Sequence, residues 1–430
     1  MIVHNGDAGL SFDTHASAEV RPRPRGGAAF LVAAAARNFA TSYDLSDQDD
    51  LQALRADSYR VLSAAKTPIL IDEAQLLPEL PSTIKRLVDR SLEAGQFLLT
   101  GSSRIGRGSL GGSDPLAGRA ARVTLHPFTQ GELAGTMALT SVVEQWWDRD
   151  ISTATTDEIG LDELAHRILR GGLPTIALPI SSPGQRPPIN EHPALSNYDQ
   201  GLRRAAYIEG VLHLALSDTR VVHARLLQTF RYLSANPARI LNVNRAASES
   251  GVSAATIKSD IEIATSAFLL QQVFALRPSQ HQTAISHPRL FTHDVGLAAW
   301  AANASPERII HEPTLRGAFL EALVFHELSA QTAWSVEPVD ILHWRDTRAR
   351  REVDLVLRRS DGRAIGVEVK AASSVSTGDT RGLTALADRL GPLFHLGVVL
   401  HTGRFTHQLD DKIWAAPITS LWTRHSSKPS

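Results

Sequence analysis

The stretch Pro68-Ile-Leu-Ile-Asp-Glu-Ala-Gln75, followed by Gln96-Phe-Leu-Leu-Thr-Gly-Ser-Ser103, decides the fold. Pro68 to Ile71 is a short apolar run that ends abruptly in two acids, Asp72 and Glu73. Residues 76–94 then carry apolar Ile84, Leu87 and Leu92 at helical spacing, and Gln96 to Leu99 is a second apolar run ending in Thr100-Gly101-Ser102-Ser103. Strand, helix, strand with polar residues at the strand ends is the rhythm of a parallel α/β sheet, whose ligands gather at the carboxyl edges of its strands.

The run ILIDE has the form of a Walker B element, in which a buried strand delivers Asp72 to a magnesium shell and Glu73 to the attacking water. Neighbouring residues at a strand end can both reach a phosphate crevice, one holding metal and one polarising water. Two acids that merely solvate the end of a buried strand are the plain alternative. Thr100 and Ser102 lie where a sensor hydroxyl would face a terminal phosphate.

Outward from this stretch, residues 44–62 open with acids and continue with Leu51, Leu54 and Leu62 at helical spacing. Gly106 to Gly112 reads as a loop, and ARVTLHPFTQGELAG (residues 121–135) as a further short strand and a turn. Residues 140–180 read as helical with Trp146 and Trp147 as core, and Ser181 to Pro193 as a proline-rich surface loop. Residues 223–275 give helix, loop, helix, turn and helix, with Gly251 in the turn and Ser253 placed to cap the third helix, the pattern of a winged helix-turn-helix. Its third helix has Lys258 against Asp260 and Glu262, a poor balance for phosphate contact, so a packing role stands beside a DNA-binding one.

After Pro288 the chain reads as a helix over residues 315–330, strands over 339–345, 352–358 and 364–370, a helix over 380–390 and a strand over 396–400, with Asp361-Gly362 turning between the second and third strands. Asp354 lies on one strand and Glu368 and Lys370 on the next. Residues two apart share a sheet face, and the hairpin brings Asp354 to them. Two carboxylates and a lysine so placed can bind a divalent cation and steady an activated water or a scissile phosphate.

The stretches PILIDEAQLLPELPSTIKRLVDR, GQFLLTGSS and LAGRAARVTLHPFTQGEL, from Pro68 to Leu133, resemble a widespread group of prokaryotic AAA-type P-loop ATPases with a C-terminal domain of uncertain function. The resemblance implies ATP and Mg2+ as cofactors and ATP hydrolysis as the activity. It makes Asp72 and Glu73 the Walker B acids, Thr100 the sensor position, and Arg119 a γ-phosphate arginine, offered in some assemblies to a neighbouring subunit. A surface or capping role for Arg119 is the alternative. One departure stands out: the group carries a GxxxxGK[ST] loop some 40 to 50 residues ahead of these acids, and this sequence has no Gly-Lys pair. Where the loop is expected, the chain reads RPRPRGGAAFLVAAAARNFA (residues 21–40). An out-of-frame or degraded N-terminus and a genuine loss of ATP binding both remain open readings.

The C-terminal constellation resembles the PD-(D/E)xK nuclease superfamily: Asp354, Glu368 and Lys370 on an α-β-β-β-α-β frame, with Glu321 of the preceding helix matching the extra acid of some branches. By that resemblance Asp354 and Glu368 form a second divalent-cation site. The same fold also serves as an inert binding module.

The expected division is an AAA-type core over residues 1–140, a helical lid and linker over 141–220, a winged helix-turn-helix over 221–285, and a nuclease-like α/β domain over 286–430. Nucleic acid and a second copy of the chain are the candidate partners. The alternatives to an ATP-driven protein are a non-catalytic scaffold with relic sites and a metal-dependent nuclease with a silent ATPase half. With no cysteine the chain excludes disulfides, thiolate metal sites and cysteine nucleophiles. A net charge of −1 puts any polyanion contact on a local patch. No apolar run approaches the roughly 20 residues of a membrane span, and the opening residues lack the form of a secretion signal, so a cytoplasmic location without membrane contact is expected. His326-Glu327 lacks the second histidine of a zinc protease helix, and no zinc site is expected.

Overall fold

The computed structural model describes residues 39–91, 93–101, 114–136, 141–151, 158–177, 197–215, 220–276, 287–346 and 348–423. The arginine-proline segment, Ser102, the loop at 106–112 and the proline-rich stretch at 181–193 lie outside them.

The first unit holds β1 (Thr41–Asp44), α1 (Gln48–Ala64), β2 (Ile69–Asp72), α2 (Leu80–Val88) and β3 (Phe97–Leu99). Its strands form a parallel sheet in the order β1-β2-β3. Ile69, Leu70 and Ile71 are all buried because the central strand of a parallel sheet is covered on both faces, so it reads as an unbroken apolar run. Leu51, Leu54 and Leu62 of α1 pack on it, and Asp47 caps α1 by accepting from the Asp49 amide. The helix expected over residues 76–94 is shorter. A single 3-10 turn spans Ala74–Leu76 and α2 starts only at Leu80, since Pro78 cannot continue a helix whereas Pro81 suits a first turn.

The expected strand within residues 121–135 is reduced to a single bridged residue, Arg122. Residues 123–129 run irregularly into α3 (Gln130–Ala134), which Thr129 and Glu132 close with a reciprocal capping box. Phe128 spends its backbone N–H on the Gly172 carbonyl at 2.8 Å rather than on a sheet.

Helices α4 (Val142–Trp147), α5 (Leu161–Arg170), α6 (Pro174–Ala177), α7 (Asn197–Ala215) and α8 (Arg220–Ser234) follow. Then come α9 (Val243–Ser250), α10 (Ala254–Ser266) and an antiparallel pair, β4 (Leu270–Val273) and β5 (Arg289–Thr292). Gly251 takes the left-handed conformation between α9 and α10, and Ser253 caps α10 through the Thr256 amide, as the sequence leads one to expect. Asp260 points inward, fully buried, and bonds Arg225 and Thr229 of α8 at 2.9 and 2.8 Å. One of the two acids expected to repel phosphate from α10 is therefore not on its exposed face.

Helices α11 (Val295–Ala301), α12 (Pro306–His311) and α13 (Pro313–Thr332) lead into the C-terminal sheet of β6 (Val339–Asp346), β7 (Arg351–Arg359), β8 (Ala364–Lys370), β9 (Phe394–His401), β10 (His407–Asp410) and β11 (Ile413–Pro417), with α14 (Arg381–Leu390) between β8 and β9. The strand order is β10-β11-β9-β8-β7-β6, with β8, β9 and β11 parallel and the rest antiparallel. One face packs on α13 and the other on α14, where the absence of a Cβ at Gly366 admits Leu383 and Leu386. Helices α4 and α5, read from the sequence as part of a lid, share a core with α13 and this sheet through Val143, Trp146, Leu164 and Ile168. At its β6 edge the sheet also meets the β4 side: Phe274 and Leu276 exchange backbone hydrogen bonds with His343 at 3.0 and 2.7 Å. No helix among the described residues is long and apolar enough to cross a membrane.

Candidate functional site

Two groups of polar side chains stand at strand ends. In the first, Asp72 ends β2, and the Thr100 amide donates to the Ile71 carbonyl at 3.0 Å just past the end of β3. Thr100 is buried, and its hydroxyl donates to Asp72 Oδ1, which also accepts the Glu73 amide at 3.0 Å. Glu73 adopts a left-handed backbone, φ 51°, and its carboxylate accepts from the Gln75 side chain. Such a backbone is uncommon for a residue other than glycine and is characteristic of sites whose surroundings fix it. Asp72, Glu73 and Thr100 are thus together at one carboxyl edge. Arg119 is held elsewhere, by Asp89 just past α2, in an exposed pair with nitrogen–oxygen distances of 2.5 and 3.2 Å. A carboxylate oriented by a buried hydroxyl at the end of a parallel strand suits Mg2+, which takes one or two protein carboxylates and leaves its other positions to water and phosphate.

The second group lies where α13, β7 and β8 meet β5. From the Leu342–Val356 pair to the Trp344–Val353 pair, β6 advances two residues while β7 advances three, so β7 carries a bulge around Asp354. The β7–β8 ladder ends at Leu355–Val367, and beyond it Asp354 Oδ2 accepts the Val369 amide at 3.0 Å. Bulge and interrupted ladder together turn this carboxylate out of the regular alternation. Glu368, buried, accepts from Lys370 Nζ at 2.9 Å through Oε1, while its Oε2 has no partner. Lys370 also lies 3.9 Å from Asp379.

Arg289 enters this group from β5. Its guanidinium bonds Glu321 Oε1 and lies 3.5 Å from Asp354 Oδ1 and 3.6 Å from Glu352. Burial pushes Glu368 up to about 8, reinforced by Asp354 and opposed by Lys370. Asp354 is likewise raised by burial, against the pull of Arg289 and the Val369 amide. His343, buried beside Arg289, is pushed down to about 4, chiefly by burial and then by that positive charge.

The structure therefore gathers Glu321, Asp354, Glu368 and Lys370 in one neighbourhood. Arg289 and His343 join them, and neither is marked in the sequence. With Arg289 in place, Glu321 Oε1 and Asp354 Oδ1 face a guanidinium and do not fit a divalent cation between them, while in the pair expected to hold one, Asp354 and Glu368, Glu368 Oε2 is left without a partner. Among the described residues no set of three histidines or carboxylates converges to hold a metal ion.

His326 and Glu327, adjacent on α13, hold the start of α3 and the residues leading into it: His326 Nε2 lies 3.0 Å from the Phe128 carbonyl oxygen, and Glu327 Oε1 accepts the Gln130 amide at 2.8 Å. The pair is buried and structural.

An AAA domain profile matches residues 29–134. Two profiles described as domains of unknown function, DUF8612 and DUF4143, match residues 161–308 and 316–421. Uncharacterized proteins of Mycobacterium bovis (Mb2031c) and Mycobacterium tuberculosis (Rv2008c) are each 26% identical to the chain over 373 residues, covering 86% of it and 73% of theirs. No solved structure matches the chain. By these matches the chain pairs an AAA domain, over residues 29–134, with a C-terminal domain of the DUF4143 type, over residues 316–421.

Proposed function

We propose that the chain is an AAA-type nucleotide-binding protein whose C-terminal nuclease-like domain serves as a packed module rather than a phosphodiesterase. The hydroxyl of Thr100 bonded to Asp72 across the ends of adjacent parallel strands carries the first half of this reading. Asp72 would hold Mg2+ and Glu73 would orient the water that attacks the terminal phosphate, while Thr100 fixes the Asp72 carboxylate. Bound Mg2+ would supply the charge that stabilises the phosphates. The AAA match over residues 29–134 supports the same half. Arg119, in an exposed pair, is the residue available to a neighbouring copy. The test is magnesium-dependent binding of a fluorescent ATP analogue to the full chain, compared with Asp72→Ala.

The nuclease-like reading of the C-terminal domain rests on the element order α13, β6, β7, β8, α14, β9 with Asp354 at the bulge of β7, Glu368 and Lys370 on β8, and Glu321 on α13. The elements from α8 to β5 have the order of a winged helix, with β4 and β5 as the wing. Nucleic acid as the partner is favoured by one observation: Arg348 and Arg350 are exposed together at the β6–β7 turn, close in sequence to the carboxylate group.

A further inference from the structure

We propose that Arg289 is the built-in cation of the C-terminal carboxylate group: its guanidinium takes the place of a divalent metal between Glu321 and Asp354, and so locks the wing pair β4–β5 onto α13 and the C-terminal sheet. The proposal rests on the nuclease-like reading of that domain.

The backbone positions Arg289 before any side chain acts. Arg289 pairs with Val273 within the wing and bridges to Ile240, so its strand is held on both sides. Two residues along β5, Phe291 stacks on Phe325 of α13 with ring centroids 4.0 Å apart. Residues two apart on a strand share a face about 6.8 Å apart, and residues four apart on a helix share a face about 6 Å apart. Arg289 and Phe291 on β5 therefore match Glu321 and Phe325 on α13, one ionic contact and one apolar contact in register. The guanidinium that results is buried and faces three carboxylates, those of Glu321, Asp354 and Glu352.

A guanidinium offers its neighbours hydrogen-bond donors and no acceptor. A divalent cation needs carboxylate oxygens at about 2.0–2.6 Å. Glu321 Oε1 and Asp354 Oδ1 are both within hydrogen-bonding reach of Arg289 Nη1. Guanidinium and cation would compete for the same oxygens and repel one another. The carboxylates are thus kept for docking the wing, and their shape is retained without the metal.

The test is Mn2+ binding to the full chain, followed by electron paramagnetic resonance. The expected result is no bound ion in the native chain that depends on Asp354, one ion gained by Arg289→Ala, and loss of that ion when Asp354→Asn is added. Native binding of Mn2+ that Asp354→Asn abolishes overturns the lock while leaving the nuclease-like reading intact. A folded Arg289→Ala chain that gains no ion overturns the assignment from the other side, by showing that the carboxylates are not a metal-type group. Should Arg289→Ala fail to fold, the native chain with and without Asp354→Asn still decides the first point.

Discussion

Glu327 Oε1 on α13 accepts the backbone N–H of Gln130 at 2.8 Å, joining segments 197 residues apart in the chain. Burial pushes this carboxyl up to about 8 from an ordinary 4.5, so the folded chain holds a proton that the unfolded chain releases. The stability tied to that proton is fully present below about 4.5 and is lost as pH rises through about 8. Glu327→Gln keeps the acceptor and removes the titration. Urea midpoints at about pH 5.5 and about pH 8.5 should fall for the native chain relative to the variant as pH rises. Parallel behaviour of the two chains would contradict the account.

On the acid side, His126 and His343 are each pushed down to about 4, mainly by burial. The unfolded chain takes up protons at these rings near 6.5 while the folded chain does not, so stability should drop as pH falls from about 6.5 to about 4. Nuclear magnetic resonance titration of the histidine rings checks this, and either ring titrating near its ordinary value would show that it is not buried neutral.

Gly382, near the start of α14, lies so close to β7 that an added Cβ would meet the Glu352 carbonyl oxygen at 2.0 Å. Both partners are backbone-borne, so the clash cannot be relieved by rotating a side chain. Gly382→Ala should destabilise the chain by about 1–3 kcal/mol in chemical unfolding, the usual cost of overpacking.

Phe325, buried in the core that α13 shares with the C-terminal sheet, stacks on Phe291. Phe325→Ala should cost about 3–5 kcal/mol in the same measurement. A cost below about 1 kcal/mol would mean that β5 is not clamped to α13 as described.

Arg348 and Arg350 are exposed on the turn between β6 and β7. If that turn meets nucleic acid, Arg348→Glu with Arg350→Glu should weaken binding to a random DNA duplex and flatten its dependence on salt concentration, because fewer counterions are released. Filter binding at two salt concentrations checks it, and an unchanged salt slope excludes this turn from the contact.

The sequence made β2, β3 and the β7–β8 hairpin legible because each is an apolar run ended by a sharp polar signal: Asp72-Glu73, Thr100-Gly101 and Asp361-Gly362. The caps at Ser253 and the turn at Gly251 were legible for the same local reason. Strands β10 and β11 were not, being short and without clear alternation, and neither was the irregular run at residues 123–129, whose backbone partner Gly172 is remote in sequence. Asp354, Glu368 and Lys370 could be found from spacing along two adjoining strands. Arg289 could not, because its partners Glu321 and Asp354 lie 32 and 65 residues away and no periodicity links them.

The central claim is that Asp72, Glu73 and Thr100 form a nucleotide crevice, and titration of the full chain with a fluorescent ATP analogue and Mg2+ tests it most directly. Saturable binding that needs Mg2+, survives Glu73→Gln and weakens at least about tenfold in Asp72→Ala is the predicted result, a tenfold change being about 1.4 kcal/mol. No saturable binding by the native chain at high micromolar protein, or equal binding by Asp72→Ala, would contradict it.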